Sequence, residues 1–272
     1  MLKKIIRNYL TAIRRVSLPL SRHHLVIDLG SGGAPNPWAD VAVEAIETNS
    51  ERDAPLKIDR PFVWAYVDAL PFKDKVFDFS ILSHVLEHLV KPKEALEEVE
   101  RISKAGYIET PNAFYEIAIP HTYHVSRCTV VDGVLNITFK TKWDETLPNG
   151  YQDVGSDVHR LFWFISDTDP RMLLTRYFWK CKIDFRINGQ YCNFEKHETD
   201  QGITKKSLVR MLATKFVYWV YRPRKRIVLE DMLCCPSCKG TLTIGAEVAE
   251  CTRTGCSQVF HKYRGYWDFR CH

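Results

Sequence analysis

The chain has 272 residues, of which 45% are apolar, 26% charged and 12% aromatic. That balance fits a folded, soluble protein and excludes a disordered, collagen-like or membrane-spanning chain, since the run 216–221 is far short of the ~20 apolar residues a bilayer crossing needs. At roughly 100–200 residues per domain, the length holds one substantial domain and a small appendage.

The net charge of +5 is unevenly distributed. Residues 1–24 carry six Lys/Arg and residues 203–226 carry eight, with no acid in either, which leaves the rest of the chain at −9. Basic segments of this kind suit a phospholipid surface or a nucleic-acid backbone, and equally describe two solvated helix faces. Arg14 and Arg15 interrupt any apolar export signal, so the expected location is the cytoplasm, with peripheral contact at the inner face of the membrane. In that setting the nine cysteines read as thiols or metal ligands rather than disulfides.

In chain order, residues 24–29 form a short apolar run that stops at Gly30-Ser31-Gly32-Gly33, the pattern of a buried strand entering a glycine turn. Further strands are expected at 40–46, 62–67 and 77–82. A helix then starts at Pro92 with Leu96, Val99 and Ile102 on one face, and a fifth strand runs from 107 to 110. Continuous apolar strands alternating with helices predict a Rossmann-like α/β fold, its mostly parallel sheet covered by helices on both faces. Beyond 113 the pattern loosens. Asp132-Gly133 marks a hairpin, 171–179 reads as a helix, 182–187 as a strand and 205–221 as an amphipathic helix. The expected organisation is a basic helix over 1–23, a main domain over 24–203 with an insertion from about 113 that covers substrate, a basic linker helix over 204–226, and a cysteine-rich domain over 227–272. Phe162, Trp163, Phe164 and Trp179 either line a substrate pocket or form the core of the insertion.

Glycines directly after a strand let a ligand approach the backbone, and an acid ending the next strand, here Glu44, is placed to hold ribose hydroxyls. Downstream come Asp68-Ala69-Leu70-Pro71-Phe72 and then Ser83-His84-Val85-Leu86-Glu87-His88. With these residues the stretch 24–112 resembles the class I S-adenosylmethionine-dependent methyltransferases of the type 11 group. The resemblance implies that Gly30 and Gly32, with Asp28 ordering their turn, pack against the methionine part of that cofactor. It likewise implies that Glu44 holds the ribose, that Asp68 and Ala69 meet the adenine edge, and that Ser83 and His84 lie beside the sulfonium. Only six residues separate Gly33 from Asp40, too few for the usual crossover helix, so an irregular loop held by Pro35 and Pro37 is expected there, with a more open pocket near Trp38.

The tail carries Cys235-Pro236-Ser237-Cys238 and Cys251-Thr252-Arg253-Thr254-Gly255-Cys256. Two cysteine pairs at this separation are a zinc-ribbon spacing, in which four thiolates close a structural Zn2+ site. The segment resembles the zinc ribbons that activate or fuse to methyltransferases. Its second pair is wider than usual, so Cys234, Cys271, His261 and His272 stand as substitute ligands, while Cys128, Cys181 and Cys192 read as ordinary thiols.

His84, and His124 in the loop after the fifth strand, are candidates to take a proton from an acceptor, with Glu109 orienting a histidine or binding an amine. Glu87 reads as a solvated carboxylate, His88 as packing under the sheet, and a second metal among His84, His88, His121 and His124 has no characteristic spacing behind it. The expected function is methyl transfer to a small-molecule or glycan/lipid-linked acceptor, at a hydroxyl because no N/D-P-P-Y/F segment follows the fourth strand. Two alternatives stay open: methylation of RNA or a translation protein docked by the basic helices and ribbon, and an inactive scaffold that keeps the fold.

Overall fold

The computed structural model describes residues 15–47, 55–118, 121, 123–141, 157–192, 220–221 and 227–270. Most of the two basic segments, together with Cys271 and His272, lies outside the described residues.

The central strands are β1 (Val26–Leu29), β2 (Val41–Glu44), β3 (Phe62–Trp64), β4 (Phe79–Ser83) and β5 (Ala105–Pro111). They pair in parallel in the order β3-β2-β1-β4-β5. All four residues of β1 and of β2 are buried, as strands covered on both faces require. The helix α1 (Pro92–Ile102) lays Ala95, Leu96, Val99 and Ile102 onto one face, with proline in its first turn where the missing N–H costs nothing. On the other face Leu18, Leu20 and Trp38 pack against Val26, Phe79, Ile81 and Tyr107. Trp38 donates its indole N–H to the Val16 carbonyl and is not among the residues lining the cavity at the strand ends. Between β1 and β2 no helix forms; Asp28 accepts the Asn36 N–H at 2.6 Å and secures an irregular loop.

The segment expected to be a helix at 171–179 is a 3-10 turn (Pro170–Leu173) followed by a strand. That strand, β8 (Leu174–Lys180), runs antiparallel to β5 and closes one edge of the sheet. Its alternation buries Thr175, Tyr177 and Trp179, and β-favouring Thr, Tyr, Phe and Trp outweigh the helix-like cluster Met172-Leu173-Leu174. The hairpin at Asp132-Gly133 joins β6 (Ser126–Val131) to β7 (Val134–Phe139), and β9 (Phe185–Asn188) adds in parallel, making a separate three-stranded sheet. Two short helices, α2 (Ala113–Ala118) and α3 (Asp157–Thr168), meet through Ala118, Phe162 and Leu173. Of the four aromatics singled out, Phe162 is buried in this cluster and Trp179 in the main core, whereas Trp163 and Phe164 are exposed.

The cysteine-rich tail extends the same sheet. Strands β10 (Leu242–Ile244), β11 (Val248–Cys251), β12 (Val259–Tyr263) and β13 (Tyr266–Asp268) form an antiparallel meander, and β13 pairs in parallel with β3 through Trp267↔Val63 and Asp268↔Trp64. The result is one ten-stranded sheet, and Leu233, Leu242, Phe260, Trp267 and Phe269 belong to the main core. No helix of the described residues is long and apolar enough to cross a membrane.

A core shared in this way unfolds as one unit. Phe269 is 1% exposed, its ring lies 4.8 Å from that of Phe260, and its N–H donates to the Trp64 carbonyl. Phe269→Ala is expected to cost about 3–5 kcal/mol in urea denaturation. It should shift the single transition of the whole chain rather than create a separate early one.

Candidate functional site

Five chain segments end at the same rim of the sheet and enclose a cavity of about 390 Å3. Gly30 and Gly32 come from the turn after β1, and Glu44, Ala45 and Ile46 from the end of β2. Ala65 to Asp68 follow β3, His84 and Val85 follow β4, and His88 to Lys91 follow the 3-10 turn Leu86–His88. An open α/β sheet places its ligands at this carboxyl rim.

Glycine is required at the first turn position. Gly30 has φ +70°, and a Cβ there would stand 2.3 Å from Cγ2 of Val85. The turn is tied to β2 by Gly30 and Ser31 N–H groups donating to the Val43 carbonyl at 2.9 and 3.1 Å. Glu44 reinforces it, accepting the Gly32 N–H at 3.0 Å and those of Ala45 and Ile46 at 2.9 and 3.2 Å. A carboxylate has about four lone-pair sites, so Glu44 both shapes the turn and keeps acceptor capacity towards the cavity. Asp68, in the segment that follows β3, lines the same cavity. Apolar Ile46, Val67 and Leu89 share the lining with the two acids, a composition that suits a nucleoside: apolar walls for a base, carboxylates for hydroxyl or amino groups. Asp28 lies behind the turn, where burial raises its pKa to about 6, partly offset by the Asn36 N–H and the charges of Arg15 and Arg60. Ala69 and Ser83 adjoin the lining without being part of it.

At the cavity wall His84 adopts a left-handed backbone, φ +58°, uncommon for residues with a side chain although histidine adopts it more readily than most. Its Nδ1 is 3.4 Å from Glu87 and its Nε2 3.5 Å from Glu109. Burial alone would lower its pKa, but these two carboxylates prevail and raise it to about 9. Glu109 is itself buried and accepts hydrogen bonds from the Ser83 hydroxyl at 3.1 Å and the Tyr107 hydroxyl. The two carboxylates thus favour the imidazolium form of His84.

His124 is 6% exposed and paired through Nδ1 with Glu116, which also binds Lys140 Nζ at 2.7 Å. Burial, with His88, His121 and Lys140 nearby and Glu87 only partly opposing them, lowers its pKa to about 2 and keeps it neutral. It is not among the cavity-lining residues. Glu87, read from the sequence as solvated, is 1% exposed, because the 3-10 turn points it inward beneath His84. The lining residues Ile46, Tyr66, Val67, Leu89 and Lys91 had no separate sequence signal, since each follows a strand end or turn whose position only the fold supplies.

In the tail, Cys235, Cys238, Cys251 and Cys256 bring their sulfur atoms within 4.8 Å of one another, with Cys235–Cys256 at 3.8 Å and Cys238–Cys251 at 3.4 Å. Zn–S bonds of about 2.3 Å in a tetrahedron place sulfur atoms roughly 3.8 Å apart, so the four residues fit a closed thiolate site. The wider second pair reaches it unaided; Cys234 and His261 stand outside the group.

Residues 28–108 match a family model described as a methyltransferase domain, the type 11 group. The chain is 35% identical over 89 residues to a demethylmenaquinone methyltransferase of Paenarthrobacter aurescens, covering 30% of this chain and 35% of that one. It is 31% identical over 107 residues to an uncharacterised protein of Methanocaldococcus jannaschii, covering 38% of this chain and 48% of that one. It thus spans between a third and a half of the length of these relatives. Among solved structures, the YcgJ protein from Bacillus subtilis aligns with a TM-score of 0.34 at 17% identity, over 44% of this chain and 62% of that one.

The His84 pairing gives a direct expectation. Its imidazole resonances should titrate with a midpoint near pH 9, and Glu109→Gln should move that midpoint down towards the ordinary 6.5. Because the folded-state pKa lies above the ordinary one, the pairing stabilises fully below about pH 6.5 and is lost as pH rises through about 9. NMR titration of the two proteins checks the midpoint, and denaturation midpoints across that window check the sign.

Proposed function

We propose, from the premise that residues 28–108 form a class I S-adenosylmethionine-dependent methyltransferase domain, that this chain moves a methyl group from that cofactor to a hydroxyl of a small-molecule or glycan/lipid-linked acceptor. The observation that carries the reading is the convergence of the glycine turn, Glu44 and Asp68 on one cavity at the strand ends.

In this reading Gly30 and Gly32 admit the methionine part close to the backbone, Glu44 accepts from the ribose hydroxyls, and Asp68 and Ala69 meet the adenine edge. When bound, the cofactor supplies an activated methyl group whose transfer is an in-line displacement, so alignment and exclusion of water are the protein's main contributions. His84, held through Nδ1 by Glu87 and through Nε2 by Glu109, forms a fixed part of the cavity wall against which the acceptor is aligned. Glu109, through Ser83 and Tyr107, keeps that ring in place. The cysteine tetrad holds Zn2+ as a structural ion; four thiolates leave no position for a reacting water.

Calorimetric titration of zinc-replete protein with S-adenosylmethionine tests the reading. Saturable binding is expected for the wild type and none for Gly30→Arg, whose side chain would start from a Cβ 2.3 Å from Val85. Absence of binding by the wild type would contradict the proposed activity.

A further inference from the structure

A second group of metal-ligating side chains lies next to the cavity, outside the cysteine tetrad. Glu87, His88 and His124 each place one ligand atom within 4.8 Å of the others. Ligand bonds of about 2.0–2.2 Å would require each atom to move inward by less than roughly 1 Å.

Three further observations point to an ion at this place. Both carboxylate oxygens of Glu87 are buried; Oε1 faces His84 Nδ1 at 3.4 Å, and Oε2 has no hydrogen-bond partner among the described residues. His84 meets this buried carboxylate at Oε1 alone, so Oε2 is left buried without a partner among the described residues, a costly state that a bound cation would relieve. Next, His124 is tied through Nδ1 to Glu116, whose other oxygen is held by Lys140 at 2.7 Å. A carboxylate on one ring nitrogen fixes the proton there and leaves the other nitrogen as a lone-pair donor, the arrangement that supports metal-ligating histidines. Last, the backbone holds the donors in place: the Val125 N–H donates to the Glu87 carbonyl at 2.8 Å, and the His88 ring stacks on Tyr123 and meets His124 edge-on at 4.7 Å.

We propose that Glu87, His88 and His124 form a binding site for a divalent transition-metal ion such as Zn2+. Two imidazoles and one carboxylate leave coordination positions open, unlike four thiolates. His88 belongs both to the cluster and to the cavity wall, so the ion sits beside the cavity. If the methyltransferase reading holds, on which this step rests, those open positions take an oxygen of the acceptor, and the substrate class becomes one with a metal-ligating hydroxyl. Glu116 and Lys140 are positioning residues, acting through His124.

The test is equilibrium dialysis of the full-length protein against Zn2+ alone, with metal content per chain read by mass spectrometry. Wild type is compared with Glu87→Gln, which keeps the side-chain shape, and with His124→Ala, and circular dichroism checks that each is folded. Each substitution should remove one zinc equivalent relative to wild type while the cysteine tetrad keeps its own. Metal content unchanged by Glu87→Gln and by His124→Ala would overturn the proposal. The readout contains no cofactor, so failure to bind S-adenosylmethionine would contradict the methyltransferase reading and leave the metal count standing.

Discussion

The parallel pairing of β13 on β3 is the contact on which the rest of the structure depends. Without it, β3 would be the exposed edge of a parallel sheet, with unpaired backbone groups beside buried Phe62, Val63 and Trp64. The tail fills that edge and then reaches past it. Arg270 lays its guanidinium 4.5 Å over the Trp64 ring and donates to the Ala45 carbonyl, while Tyr263 and Arg264 hold Glu47 at 2.9 and 2.6 Å. These contacts fall on the ends of β2 and β3, the segments that carry Glu44 to Ile46 and Ala65 to Asp68 into the cavity. The cysteine tetrad therefore lies at one end of a continuous set of contacts that ends at the candidate cofactor site.

A short chain segment between β1 and β2 makes this bracing more important. Where a crossover helix would normally cover the turn, this protein has an irregular loop fastened by the Asp28 carboxylate to Asn36 and by Arg60 to the carbonyls of Asn36 and Ala39 at 2.6 Å. Polar bonds to backbone groups replace helix packing, which explains why a buried, partly desolvated Asp28 is kept behind the glycine turn.

Much of the central sheet was legible because each strand is a short apolar run ended by a turn residue, and because the glycine turn needs its residue types whatever the context. The cysteine tetrad was legible from spacing alone. The misread segment was β8, whose apolar cluster at Met172-Leu173-Leu174 imitates a helix before alternation begins. The β13–β3 pairing joins residues about two hundred positions apart, and no local pattern carries such a partner choice. The pairing of His84 was hidden for the same reason: it depends on Glu109 from the neighbouring strand and on the inward turn of Glu87, which reads from the sequence as solvated.

Hydrogen exchange with and without a metal chelator tests the central claim, that the ribbon braces the cavity through β3. Removing the metal should deprotect β10 to β13 together with amides of Phe62–Trp64 and of the cavity segments at 44–46 and 65–68. Loss of protection confined to the ribbon, with those segments as protected as before, would contradict it.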